Sequence, residues 1–280
     1  MIKIHPIQTG LVRIREAQSR RKLGGPLRIL LDRQWSEWLP IFAWAIEHPE
    51  EGIILVDTGE TARVSEPGYF PPWHPFYRLA ASFDVKPSDE IGPQLRKVGI
   101  SPADVRTIIL THLHTDHAGG LHHFLRSRIL VAGGEHQSAL GFFGKLNGYL
   151  PHRWPHWFAP EPVPFTPVAF GGFDRSYPVT AGGDVVVVPT PGHTPDHISV
   201  IVRTGGRDYF LAGDASYSER QLLERRSDGV SRSARLTVAT IDRICDHLSS
   251  TPTVYLPSHD PDSAVRLRTH KITNITHPVT

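Results

Sequence analysis

Apolar residues in this chain come in short runs. Their spacing predicts strands at Ile2 to Ile14, Ile41 to Ile46, Gly52 to Val56, Thr107 to Leu110, Ile129 to Ala132, Asp184 to Val188, Ile198 to Val202, Tyr209 to Leu211 and Val254 to Leu256. Several runs are rich in Val and Ile without polar alternation, the pattern of a strand buried on both faces. Helical patterns lie between them. Leu236, Ala239, Ile241, Ile244 and Leu248 recur at near-helical spacing and predict a helix from Leu236 to Leu248; a second is expected from Pro87 to Val98, where Gly99 stops it. Strands alternating with helices point to a mixed α/β architecture. With no fixed-period repeat and no low-complexity linker, residues 1–280 read as one domain.

Two segments break the pattern. Tyr69 to Tyr77 sets Phe70, Trp73 and Phe76 among prolines, and Gly141 to Phe158 interleaves Phe142, Phe143, Tyr149, Trp154, Trp157 and Phe158 with Gly and Pro. Both read as aromatic loops or broken helices that either cover the core or form an apolar substrate pocket or subunit interface.

Composition then works by exclusion. No apolar run approaches the length of a membrane span, so none is expected. A net charge of +2 without a long single-sign run lacks the electrostatic footprint of a nucleic-acid binder, and the short runs Arg20-Arg21-Lys22 and Arg225-Arg226 read as solvated surface. The N-terminus has no basic start followed by an apolar stretch, so a cytoplasmic location is expected. A single cysteine, Cys245, rules out an intrachain disulfide and a cysteine-rich zinc site, and reads as a small buried apolar residue. The unusual feature is 17 histidines. Any bound metal must rely on His and Asp.

The densest group is His112-Leu113-His114-Thr115-Asp116-His117, which leaves the apolar run Ile108-Ile109-Leu110 and precedes Ala118-Gly119-Gly120. Four ligand-capable side chains within six residues cannot all reach one ion without strain, but a loop leaving a strand can divide them between two neighbouring ions. Three further residues repeat the same context directly after an apolar strand: His193 in Pro191-Gly192-His193-Thr194, Asp214 in Ala212-Gly213-Asp214, and His259 in Pro257-Ser258-His259-Asp260. Loops at the carboxyl ends of strands are where open α/β sheets place their sites.

With these residues in order, the chain resembles the metallo-β-lactamase superfamily, whose pattern is His-x-His-x-Asp-His followed by His, Asp and His. Leu55-Val56-Asp57-Thr58-Gly59 is similar to that family's early Asp-Thr-Gly turn. The resemblance implies an αββα sandwich, two β-sheets packed face to face with helices on the outer faces. It also implies a ligand set. His112, His114 and His193 would hold one metal, Asp116, His117 and His259 the other, and Asp214 would bridge them, while Asp57 supports the site without binding metal. The expected cofactor is two divalent ions per chain, zinc first, with cobalt, iron or manganese as alternatives for such donors.

Many true β-lactamases of the family place cysteine at the bridging position, so Asp214 argues against β-lactam hydrolysis as the main activity. Tyr217, three residues later, resembles the N-acyl homoserine lactonases that quench quorum signals. Members of that branch can carry a bulky aromatic where this chain has Thr115, which bears on acyl-chain preference. The implied reaction is lactone ring opening by a hydroxide bridging the two ions, with Tyr217 stabilising the oxyanion and Asp116 shuttling a proton. The alternative is another esterase, a phosphotriesterase or a thioesterase on the same scaffold. The expected partner is a small-molecule lactone, with no nucleic acid and no membrane, and the aromatic segments would suit a homodimer.

Overall fold

The computed structural model describes residues 1–19 and 25–275, so the run Arg20-Arg21-Lys22 lies outside the described residues. Strands β1 (Lys3–Ile14), β2 (Leu39–His48), β3 (Gly52–Val56), β4 (Ala81–Asp84), β5 (Val105–Ile109), β6 (Arg128–Val131) and β7 (Glu161–Pro162) form one mixed sheet in the order β4-β1-β2-β3-β5-β6-β7. Strands β8 (Tyr177–Pro178), β9 (Val185–Pro189), β10 (Ile198–Thr204), β11 (Arg207–Gly213) and β12 (Thr253–Pro257) form the other, in the order β12-β11-β10-β9-β8. Parallel pairing joins β3 to β5, β5 to β6 and β11 to β12, which brings the carboxyl ends of β5 and its neighbours to one edge of the sandwich.

The period of two along a strand divides the core into layers. Phe42, Trp44 and Ile46 of β2 face Val187, Val200 and Leu256 of the second sheet, while Ala43 and Ala45 between them face the opposite way. On that outer side the helix Ile91–Lys97 contributes Ile91 and Leu95. The helix Ala234–Ser250 lays Ile241, Ile244, Cys245 and Leu248 on Val186, Val188, Phe210 and Tyr255, covering the outer face of the second sheet. Both faces of both sheets are therefore buried, which explains the uninterrupted Val and Ile runs, and the result is the αββα sandwich expected above. Cys245 is buried and apolar in its surroundings, as read from sequence.

Helix Ala234–Ser250 starts where the Ser233 side chain accepts a hydrogen bond from the Leu236 N–H, two residues before the predicted start. The expected helix from Pro87 to Val98 is divided. Pro87–Asp89 is a short 3₁₀ turn, Glu90 is extended, and the α-helix runs only over Ile91–Lys97. Three short strands escaped the sequence reading. Strand β4 is four residues at a sheet edge, and β7 and β8 are two residues each and include proline, too short to show a period. Arg225 and Arg226 are partly exposed and paired with Asp242 and Glu224, consistent with a solvated surface run. Among the described residues no helix is long and apolar enough to cross a membrane.

Trp44, only 1% exposed, fills the space between the sheets. Trp44→Ala should cost about 3–5 kcal/mol of stability through lost burial and the cavity left behind. Urea unfolding measures this, and a loss under about 1 kcal/mol would show that the inter-sheet core does not hold the fold.

Candidate metal centre

Each of the seven residues singled out in the sequence leaves the carboxyl end of a strand. His112 follows β5, and Asp116 and His117 lie on the single helical turn Thr115–Ala118, with His114 just before it. His193 follows β9, Asp214 follows β11 and His259 follows β12. Tight backbone geometry holds the junctions in place. Gly213 has φ +56°, and a Cβ there would come within 2.8 Å of His197 Nε2 and 2.9 Å of the Thr111 side chain. The backbone has no room for a larger residue at the point where Asp214 turns inward.

The seven side chains meet in one cluster. His112 Nε2 lies 3.0 Å from His114 Nδ1, which lies 3.1 Å from His193 Nε2. Asp214 Oδ1 is 3.3 Å from both His117 Nε2 and His259 Nε2, and its other oxygen, Oδ2, is 3.5 Å from His193 Nε2. Asp116 completes the second group, with Oδ2 3.5 Å from His259 Nε2 and Oδ1 4.0 Å from His117 Nε2. Asp214 thus stands between a group of three imidazoles and a group of two imidazoles and a carboxylate.

The far side of each ring settles which nitrogen faces inward. His117 Nδ1 is 2.8 Å from Asp57 Oδ2, His259 Nδ1 is 2.9 Å from the Pro40 carbonyl, and His114 Nε2 is 3.2 Å from the Asn147 carbonyl. These oxygens only accept, so the ring nitrogens facing them carry the protons. Thr111 donates its hydroxyl to Asp57 and accepts from His112 Nδ1 at 3.1 Å, and His193 Nδ1 is 3.5 Å from Asp228. In the neutral rings the nitrogens turned to the centre are therefore the bare lone pairs, the form that ligates metal.

Charge gives the same account. Burial, then the neighbouring imidazoles, hold His112 well below its ordinary pKa and lower His114 to about 4. Burial also works against charge on His117, His193 and His259. There the surrounding carboxylates outweigh it and raise all three, while His259 and His117 hold Asp214 well below the usual carboxylate range despite its burial. The cluster calls for positive charge at its centre.

A divalent ion fits these donors. His117 Nε2 and Asp214 Oδ1 are buried and, among the described residues, make no hydrogen bond. Three imidazole nitrogens 3.0–3.1 Å apart cannot satisfy one another, whereas a tetrahedral zinc with bonds near 2.0–2.1 Å places its ligand nitrogens about 3.3 Å apart. His112, His114 and His193 can form one set, and Asp116, His117 and His259 another.

Several supporting residues carried no sequence signal. His197 accepts the Asp214 N–H through Nε2 at 3.0 Å, and its Nδ1 lies 2.8 Å from Thr190 Oγ1, so it fixes the backbone of the bridging carboxylate. Asp228 caps the turn at Val230 and Ser231 before reaching His193. Glu135 accepts from the Leu113 N–H and the Tyr149 hydroxyl. Asp57 supports His117, as the resemblance implied, from a backbone with φ +61° that a non-glycine residue rarely adopts.

Above the cluster opens a cavity of about 510 Å³ whose polar floor includes His114, Asp116, His193, Asp214 and His259. Its walls include Val12, Ile14, Leu39 and Phe83. The two aromatic segments divide between the roles considered for them. Phe76, Tyr77, Phe143 and Tyr149 line the cavity, whereas Trp154, Trp157 and Phe158 pack on the outer core of the first sheet. Thr115 lines the cavity and donates to Glu60. Tyr217 lies against the cluster, its ring 5.8 Å from His193 and 5.7 Å from His259, with its hydroxyl accepting from Gln18 Nε2. Burial, together with Asp228 and Asp214, raises its pKa well above the usual value, so it stays a protonated donor.

Residues 36–259 match the metallo-beta-lactamase superfamily, and the chain belongs to that family. Among individual relatives, it is 27% identical over 180 residues to the N-acyl homoserine lactonase AttM of Agrobacterium fabrum, a match covering 61% of this chain and 64% of that protein, less than two thirds of its length. It is 29% identical over 225 residues to the N-acyl homoserine lactonase AiiA of Bacillus thuringiensis subsp. kurstaki, covering 79% of this chain and 82% of the relative. The fold is shared with a solved N-acyl homoserine lactone hydrolase that has the product N-hexanoyl-L-homoserine bound at its catalytic metal centre, at a TM-score of 0.72 and 23% identity over 96% of each chain.

Asp57 fixes the His117 tautomer without facing the centre. Asp57→Asn should weaken metal retention by about 10- to 100-fold, measured by competition with a chromophoric chelator. Unchanged retention would remove Asp57 from the support of the site.

Proposed function

We propose that this chain is a dinuclear metal-dependent hydrolase that opens the lactone ring of N-acyl homoserine lactones. The observation that carries the reading is the position of Asp214, one oxygen turned to His117 and His259 and the other to His193, on the floor of an apolar-walled cavity. The lactonase names of relatives from two organisms support the choice of substrate.

His112, His114 and His193 would hold one ion and Asp116, His117 and His259 the other, with Asp214 bridging; zinc is the first choice for a site so rich in imidazole. Bound there, the ions would supply Lewis acidity and a water acidified to a pKa near 7. The remaining work falls to side chains. Tyr217, neutral and facing the cluster, donates a hydrogen bond to the lactone carbonyl oxygen as negative charge builds on it. Asp116, on the cavity floor, takes a proton from the attacking water and passes it to the ring oxygen as the carbon–oxygen bond breaks. Val12, Ile14, Leu39 and Phe83 exclude water and receive the acyl chain. We further read residues 1–280 as one domain working as a cytoplasmic homodimer, the exposed Phe142 and Phe143 offering an apolar face to a second copy.

Ring opening releases acid but no second fragment, so proton release follows it on one scale with ester and phosphotriester cleavage. N-acyl homoserine lactones should be hydrolysed with higher kcat/KM than p-nitrophenyl esters or organophosphates; inert lactones beside a rapidly cleaved organophosphate would overturn the assignment. Tyr217→Phe should lower kcat about 10²-fold while leaving metal content unchanged, as loss of one oxyanion donor does. An unaltered kcat would exclude Tyr217 from the reaction.

A further inference from the structure

Five of the 17 histidines serve the cluster above, and two others form a group of their own. His122 and His123 are consecutive on the 3₁₀ turn Gly119–His123, with ring centroids 4.2 Å apart, and both direct Nε2 at the same atom. That atom is Glu90 Oε2, 3.1 Å from His122 and 2.7 Å from His123. The other carboxylate oxygen, Oε1, is occupied by the Thr61 hydroxyl at 3.0 Å and the Ala62 N–H at 2.8 Å, which fixes the orientation of the carboxylate.

Three features set this group apart from an ordinary surface ion pair. First, His122 Nδ1 lies 3.3 Å from the Gly119 carbonyl, which can only accept, so the proton of a neutral ring belongs on Nδ1. In that neutral ring Nε2 is a bare lone pair facing a carboxylate oxygen, a contact satisfied only by a cation between the two, whether a metal ion or a proton. Second, burial and the adjacent His122 ring lower the pKa of His123 although Glu90 lies beside it, which works against a charged His123 as the carboxylate's partner. Third, the His123 ring lies on the helix Ile91–Lys97 at Gly92, where a Cβ would come within 2.5 Å of Nδ1. Glycine at the second residue of that helix makes the room that seats the imidazole.

We propose that Glu90, His122 and His123 form a peripheral binding site for a divalent transition-metal ion such as zinc, separate from the cluster around Asp214. Two imidazoles and one carboxylate suit zinc, with water completing the coordination shell. His122 is 43% exposed in its side chain and leaves the site open to solvent, while Glu90 and His123, at 12% and 19%, anchor it. Occupation would tie the turn behind the main ligand motif to the helix Ile91–Lys97. It would also load the hydrogen-bond run from Glu90 through Thr61 and Glu60 to Thr115, the neighbour of Asp116.

The test is equilibrium dialysis of the full-length protein against buffered free zinc, with bound zinc counted per chain in wild type, His122→Ala and Glu90→Gln. His122 is solvent-facing, and glutamine keeps the shape of Glu90, so circular dichroism matching wild type identifies the folded variants. Wild type should bind one zinc more per chain than either variant at saturation. Equal binding curves for wild type and both variants would overturn the proposal. Because the readout is a difference taken without substrate, it stands or falls independently of how many ions the main cluster holds and of which bond the enzyme cleaves.

Discussion

Lone pairs and negative charge crowded into a buried cleft repel one another unless positive charge lies between them, and this constraint organises the molecule. Five imidazoles each turn one nitrogen toward the centre: the other nitrogens of His117, His112, His114 and His259 are committed to Asp57, Thr111, Asn147 and Pro40, and that of His193 lies 3.5 Å from Asp228. Two carboxylates, Asp116 and Asp214, point the same way. In a low-dielectric interior such an arrangement is stable only with cations, and metal binding in such sites is coupled to folding. The sandwich supplies the rigidity that keeps these groups together. Strands from both sheets end at one edge, each delivering one or more ligands, and the layered core fixes the strands relative to one another.

The same constraint explains what could be read in the sequence. Strand interiors buried on both faces are largely apolar, so β9 and β10 stood out as Val- and Ile-rich runs, and ligands in loops just after apolar runs shared a recognisable context. His112 through His117 were legible because they are adjacent in the chain, and His193, Asp214 and His259 because each follows a strand. The aromatic segments were visible as segments, but which of their rings would line the cavity depends on how the Gly141–Leu146 helix and the Pro151–Arg153 turn lie against the sheet. No local pattern encodes that.

The residues that went unread are those whose roles exist only across long sequence separations. His197 meets the Asp214 backbone across a sheet, Asp228 reaches His193 from a loop, Gln18 contacts Tyr217 from the short helix Glu16–Ser19 after β1, and Glu90 gathers His122 and His123 from another element. In sequence each is an ordinary polar residue. The short strands β4, β7 and β8 were missed for a related reason, since they are defined by the neighbours they pair with and not by any period of their own.

Anomalous diffraction from crystals of the zinc-loaded protein addresses the central claim most directly. The account predicts two strong peaks on either side of Asp214, one bonded to His112, His114 and His193 and the other to Asp116, His117 and His259, with metal–nitrogen distances of about 2.0–2.1 Å. A single peak, or none, with His193 or His259 turned away from Asp214 would contradict it.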